Sequence, residues 1–213
     1  MSRRLLLRYV AFAAAIALCG PAVPSAMAAD PAPAVLTEQD QAELQRIAGF
    51  LNNIHTMYAR YRQVASGGTS TGQLWILRPG RMRFEYDPPS AVTLFADGTY
   101  IYLWDKQLNE VSKLPLMATP AWFLLRNHIS FDEVIVTGVE HGTDTIRVSV
   151  VQKDKPDAGS LTMTFTKNPL ALTQWTVVDQ EGKTTRVSLS DVQFGIPVDP
   201  KIFVYQGGST REQ

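Results

Sequence analysis

The spacing of apolar residues changes along the chain, and each change predicts a different element. Residues 9–19 form an apolar run too short to span a bilayer, ended by Gly20, Pro21 and Pro24. Further on, Leu44, Ile47, Ala48, Leu51 and Ile54 recur at helical spacing, and Thr37 with Asp40 three positions later predicts the N-terminal cap. From Met57 the period drops to two: Met57, Ala59 and Tyr61 alternate with Tyr58, Arg60 and Arg62. Strand-like runs follow at 73–77, 81–86, 92–96, 99–104 and 110–114, separated by Pro79-Gly80, Asp87-Pro88-Pro89 and the strong hairpin signal Asp97-Gly98. Thr119-Pro120 predicts the start of a short helix carrying Trp122, Phe123, Leu124 and Leu125, with the threonine as cap. Strands resume at 131–137, 145–152, 160–166, 172–179 and 184–192.

Ten to eleven short strands with few helices predict an α+β chain built on a barrel or a strongly curved antiparallel sheet. Within 81–86, Met82, Phe84 and Tyr86 share one face while Arg81, Arg83 and Glu85 share the other, so the sheet is expected to have one apolar face and one wet face. Two readings of the apolar face stand side by side: ordinary core, or an incompletely filled concave surface that takes an apolar ligand. The first helix divides the same way, into a helix packed on a core or a cover over a hollow.

Composition narrows the function more than the fold. Apolar residues make up 45% of the 213, enough for a real core. Residues 1–28 read as an export signal: Arg3, Arg4 and Arg8, then the apolar run, then Ala26-Met27-Ala28 before the cut. Ser2-Arg3-Arg4-Leu5-Leu6-Leu7 keeps the twin-arginine route open beside the general secretory one. Bulky Leu18 before Cys19 argues against lipidation there. Residues 29–35 form a short extended leader. The 185-residue chain from residue 29 onward has 17 basic and 20 acidic side chains and no cysteine, which excludes disulfides, thiol catalysis and a strongly basic nucleic-acid groove. No G-x-S-x-G, H-E-x-x-H, phosphate-binding loop or dinucleotide fingerprint is present, and His55, His128 and His141 are scattered. No enzymatic activity, cofactor or metal is expected.

Arg78-Pro79 stands out. Arg78 follows four apolar residues, so its guanidinium emerges at the rim of the apolar face as proline ends the strand. It is either a strand-end arginine in solvent or a latch whose fork of N–H donors bonds free carbonyls at a helix or loop end.

Taken in order, several segments resemble one family. Leu74-Trp75-Ile76-Leu77-Arg78-Pro79-Gly80-Arg81-Met82-Arg83-Phe84-Glu85-Tyr86 is similar to the L-W-x-x-R-P-x-x-x-R-W-x-Y signature of LolA-type periplasmic outer-membrane lipoprotein carriers. Met57-Tyr58-Ala59-Arg60-Tyr61-Arg62-Gln63, the hairpin around Asp97-Gly98, Thr119-Pro120-Ala121-Trp122-Phe123-Leu124-Leu125 and a closing strand at 198–205 resemble further family segments, over residues 36–206 in all, leaving 207–213 as a tail. The resemblance implies an open antiparallel β-half-barrel with helices covering a concave apolar face. It implies an apolar cavity that takes the acyl chains, with Arg78 as the lid latch and Leu51, Met57, Tyr61, Met82, Phe84, Tyr86, Trp122 and Leu125 as its acyl-chain-binding residues. It also implies a monomeric periplasmic carrier. Its partners would be outer-membrane lipoproteins, an inner-membrane ABC lipoprotein-release complex (LolCDE-type) and, where present, a LolB-type outer-membrane receptor. A binding module of the same fold for another lipid or amphiphile is the alternative, and the receptor itself a further one.

Overall fold

The computed structural model describes residues 32–205; the export signal with its cut, the start of the leader and the tail 207–213 lie outside them. Helix α1 (Glu38–Asn52) starts where the sequence predicts. Thr37 Oγ1 accepts the Asp40 backbone N–H at 3.1 Å, and Asp40 Oδ2 accepts the Thr37 N–H at 2.9 Å, a closed capping box. The apolar stripe Leu44, Ile47 and Leu51 is buried, and Ile54 is buried just beyond the helix end.

Eleven strands follow: β1 (Thr56–Ala65), β2 (Gly68–Leu77), β3 (Arg81–Tyr86), β4 (Val92–Asp97), β5 (Tyr100–Asp105), β6 (Glu110–Pro115), β7 (Val134–His141), β8 (Thr145–Gln152), β9 (Gly159–Lys167), β10 (Leu170–Asp179) and β11 (Thr184–Phe194). They form one antiparallel sheet in the order β6-β5-β4-β3-β2-β1-β11-β10-β9-β8-β7. The first strand lies in the middle, paired to β2 on one side and β11 on the other, so the sheet grows outward in two wings. The edge strands β6 and β7 do not pair, and the sheet stays open. Register shifts at Tyr58/Arg60, Val136/Gly138 and Leu172/Gln174 interrupt the ladders, the kind of irregularity that bends a sheet.

The residues joining the two edges carry helix α2 (Trp122–Leu125) back onto the apolar face. That face, α1 and α2 make one buried cluster. It runs from Met57, Leu74, Met82 and Phe84 in one wing to Val148, Met163, Phe165 and Trp175 in the other.

Four expectations need correction. Thr119 does not cap α2: its hydroxyl donates to the Leu116 carbonyl at 2.9 Å, closing a 3-10 turn at Leu116–Ala118, and the cap position is Ala121. The run at 131–137 opens as a 3-10 turn, Phe131–Glu133, because Ser130 Oγ accepts the Asp132 N–H; the strand starts at Val134. The closing segment is a 3-10 turn, Pro200–Phe203, set by Asp199 Oδ1 accepting the Lys201 N–H and by a proline that cannot donate to a ladder. The face of Arg83 and Glu85 is not simply wet. The closing segment lies on it: Arg83 Nη1 donates to the Ile202 carbonyl at 2.6 Å, Phe203 is fully buried, and Phe95 stacks on Tyr102 on the same face.

Asp40 does double duty, since its Oδ1 also meets His141 Nε2 on β7 at 2.7 Å. Hydrogen bonds from Thr37, then from His141, hold its carboxyl down at about 2. A carboxyl with a lowered folded-state pKa adds stability that is complete above its unfolded value near 4 and is lost as pH falls towards 2. Denaturant unfolding across that interval is expected to show a loss of stability in the wild type that is smaller in Asp40→Asn, which should also be less stable at pH 7 by about 1 kcal/mol from the weakened cap.

Candidate functional site

At the end of β2 the chain turns through Arg78, Pro79 and Gly80, and this turn holds the ends of both helices. Arg78 Nη1 donates to the Leu51 carbonyl in the last turn of α1 at 2.6 Å, and Nε donates to the Leu124 carbonyl of α2 at 2.9 Å. Helix C-termini carry carbonyls without intrahelical partners and a partial negative charge, so a guanidinium suits both. Burial lowers the arginine's pKa to about 10, which leaves it charged at neutral pH. The Gly80 N–H adds a third bond, to the Leu125 carbonyl at 2.7 Å. Gly80 has φ +78°, and a Cβ there would lie 2.5 Å from Gly98 Cα, so the turn seats only glycine against the β4–β5 hairpin.

Three further contacts that carry no sequence signal complete the fastening. Asn52 Nδ2 donates to the Ile129 carbonyl at 2.9 Å and Asn52 Oδ1 accepts the Ile129 N–H at 2.8 Å, tying the end of α1 to the loop after α2. Buried Gln152 Nε2 donates to the Thr119 carbonyl at 3.2 Å, ahead of α2. The Arg126 guanidinium lies 4.4 Å from the Trp122 ring centroid. The first two pair residues 77 and 33 positions apart in sequence, which no local pattern reveals; the third joins residues four positions apart.

Beneath the helices, Leu51, Met57, Tyr61, Met82, Phe84, Trp122 and Leu125 are all buried in the one apolar cluster, and Tyr86 packs against it half-buried. The helices fill the concave face with their own side chains. The recess beside α2, among Pro120, Trp122, Phe123, Val134, Val150 and Leu161, has a volume of about 10 Å³, room for about one water at most. A larger one, about 350 Å³, lies on the opposite face between Trp75, Arg83, Glu85 and the closing segment, and none of the expected acyl-contacting residues lines it. Among the described residues no group of three or more His, Cys, Asp or Glu is placed to hold a metal ion. No helix among them is long and apolar enough to cross a membrane.

An open antiparallel sheet whose apolar face is closed by fastened helices defines a half-barrel binding fold. The model of the family described as outer membrane lipoprotein carrier protein LolA matches residues 52–206, and the chain belongs to this family. The match starts at Asn52, so α1 lies almost wholly ahead of it. An outer-membrane lipoprotein carrier protein of Pseudomonas aeruginosa (strain UCBPP-PA14) is 29% identical over 177 residues, covering 78% of this chain and 84% of that protein. One from Chromohalobacter salexigens is 27% identical over 184 residues, covering 80% and 86%. Among solved structures, a DUF1329 family protein from Desulfovibrio piger shares the fold, with a TM-score of 0.51 at 10% identity over 78% of this chain and 97% of that one. The family is one of carriers, not of enzymes.

If the Arg78 fork fastens both helices, Arg78→Met should loosen them together. Amide hydrogen exchange at the end of α1 and throughout α2 is expected to speed up at least about tenfold, the equivalent of losing one charge-assisted bond, while β8 to β10 keep their protection. Acceleration confined to one helix would show that the two ends are held independently.

Proposed function

We propose that this protein is a periplasmic carrier that covers the acyl chains of outer-membrane lipoproteins between the inner and the outer membrane. Family membership supports lipoprotein carriage, and the observation that bears most directly on mechanism is the Arg78 fork, joined to both helix ends over a continuous apolar face. Each methylene withdrawn from water is worth about 0.8 kcal/mol, so a lipoprotein with two or three acyl chains does not cross an aqueous space uncovered. A carrier without a covalent energy source must bind those chains and still give them up.

A filled interior supplies that balance. In the closed form Leu51, Trp122 and Leu125 occupy apolar surface that an acyl chain would otherwise cover. Loading swings α1 and α2 away, breaks the Arg78 bonds and replaces helix side chains with hydrocarbon on the same sheet. Net affinity is then the difference between two similar burials, and the cost of undoing the latch tilts it towards release. Leu51, Met57, Tyr61, Met82, Phe84, Tyr86, Trp122 and Leu125 are the residues assigned to the chains. Cargo arrives from an ABC lipoprotein-release complex of the inner membrane and leaves to an outer-membrane acceptor.

The test is a transfer assay with a triacylated lipoprotein and no detergent. The wild type is expected to hold the lipoprotein in solution and pass it to outer-membrane acceptor vesicles. Arg78→Leu is expected to load but to release at least tenfold more slowly, so that the loaded form accumulates. Arg78→Leu transferring at the wild-type rate would overturn the latch, and a wild type unable to keep the lipoprotein in solution would overturn the carrier.

A further inference from the structure

Two hydrogen-bond donors are stranded inside the apolar cluster. The Tyr61 hydroxyl and the Trp122 indole N–H are buried with no partner. The other buried unpaired side-chain groups among the described residues, on Thr93, Trp104 and Thr164, lie on the opposite face of the sheet, in register with Glu85, Thr93 and Gln174. Neither stranded donor is explained by packing. Phenylalanine at 61 would fill the same space without a hydroxyl to desolvate, and an unpaired polar group in such surroundings works against folding.

The site around Tyr61 leaves room for that hydroxyl. Gly72 is in register with Tyr61 on β1 and with Tyr86 on β3, and the Tyr61 ring reaches over it to meet Phe84 and Tyr86 edge-on, with centroids 4.8 and 5.7 Å away. A Cβ at position 72 would fall 2.7 Å from the Tyr61 oxygen and 2.0 Å from the Glu85 carbonyl oxygen, so glycine clears the space. The Tyr86 hydroxyl next to it does have a partner, donating to Gln63 Oε1 at 3.2 Å. Burial raises the Tyr61 pKa, so its proton stays on and the group remains a donor. Trp122 presents its N–H from α2, the helix that must move for a ligand to enter.

We propose that the Tyr61 hydroxyl and the Trp122 indole N–H donate to the carbonyl oxygens of bound acyl esters. The inference rests on the acyl-carrier reading above and adds a specificity to it. Hydrocarbon slides freely over an apolar face, since dispersion contacts have little directional preference. A carbonyl is the one strong acceptor that an acyl ester brings into such a site, and a donor waiting there fixes how deep the chain runs. In the closed form the donors have no partner, which weakens the closed form. In the loaded form each gains one, which favours acylated cargo over plain hydrocarbon.

The probes are diheptanoyl glycerophosphocholine and its diheptyl ether counterpart, below their micellar concentrations, titrated calorimetrically into the protein. The two have the same chain lengths and differ in the carbonyls. The wild type is expected to bind the ester roughly three- to tenfold more tightly for each hydrogen bond made. The ester-to-ether ratio should fall in Tyr61→Phe, a change that keeps the ring and its packing, and approach one in Tyr61→Phe combined with Trp122→Phe. Equal affinities in the wild type, or a ratio that Tyr61→Phe leaves unchanged, would overturn the inference while acyl binding stands. Binding of neither probe would overturn the acyl-carrier reading and this inference with it.

Discussion

One cation joins two helix ends to a strand end, and the rest of the molecule is arranged around that contact. Arg78 emerges from β2 where α1 and α2 bring their carboxyl termini together, and its fork bonds a carbonyl from each. A lysine, with a single point charge on a flexible stem, would not span both acceptors in a fixed plane. The contact also couples the helices: neither carbonyl can lose the guanidinium without changing the geometry offered to the other. Asn52, with its two bonds to Ile129, reinforces the coupling from the α1 side, so the helices are joined to each other as well as to the sheet.

Beneath this fastening the concave face is covered by buried side chains of the helices. A large permanent void lined with leucine and phenylalanine would be destabilising in a protein that no disulfide supports. The chain avoids the penalty by filling its concave face with residues from the covering helices. Few directional bonds hold that filling in place. The strands of each wing are joined by many ladder bonds, whereas α2 is tied by Arg78 and Gly80 at its last two carbonyls and by Gln152 at the Thr119 carbonyl ahead of it.

The half of the structure governed by local period could be read from the sequence. The helix beginning at Thr37, the alternation in β1, the bounds of β3 and β8 and the Asp97-Gly98 turn all follow from neighbours within a few positions. So does the sharing of one face by Met82, Phe84 and Tyr86. What could not be read depends on contacts across the chain. Nothing local shows that Gln152 would hold the approach to α2, or that Asp40 would serve His141 as well as its own helix cap. The covered second face of β3 is hidden from the sequence for the same reason. Alternation places Arg83 opposite the core, but only the return of residues 197–205 decides that this second face is covered too.

That second cover bears on how the latch is held. The closing segment lies on β3 and β4, with Phe203 buried, Ile202 accepting from Arg83, and Tyr205 edge-on to Trp104 of β5 at 5.2 Å. These strands of one wing are therefore layered on both faces, by the helices on the concave side and by the closing segment on the other. β3 begins one turn after Arg78, and Gly80 sits against the hairpin that joins β4 to β5. Arg78 thus extends from a wing layered on both faces, whereas its two acceptors belong to the helices laid over the concave side.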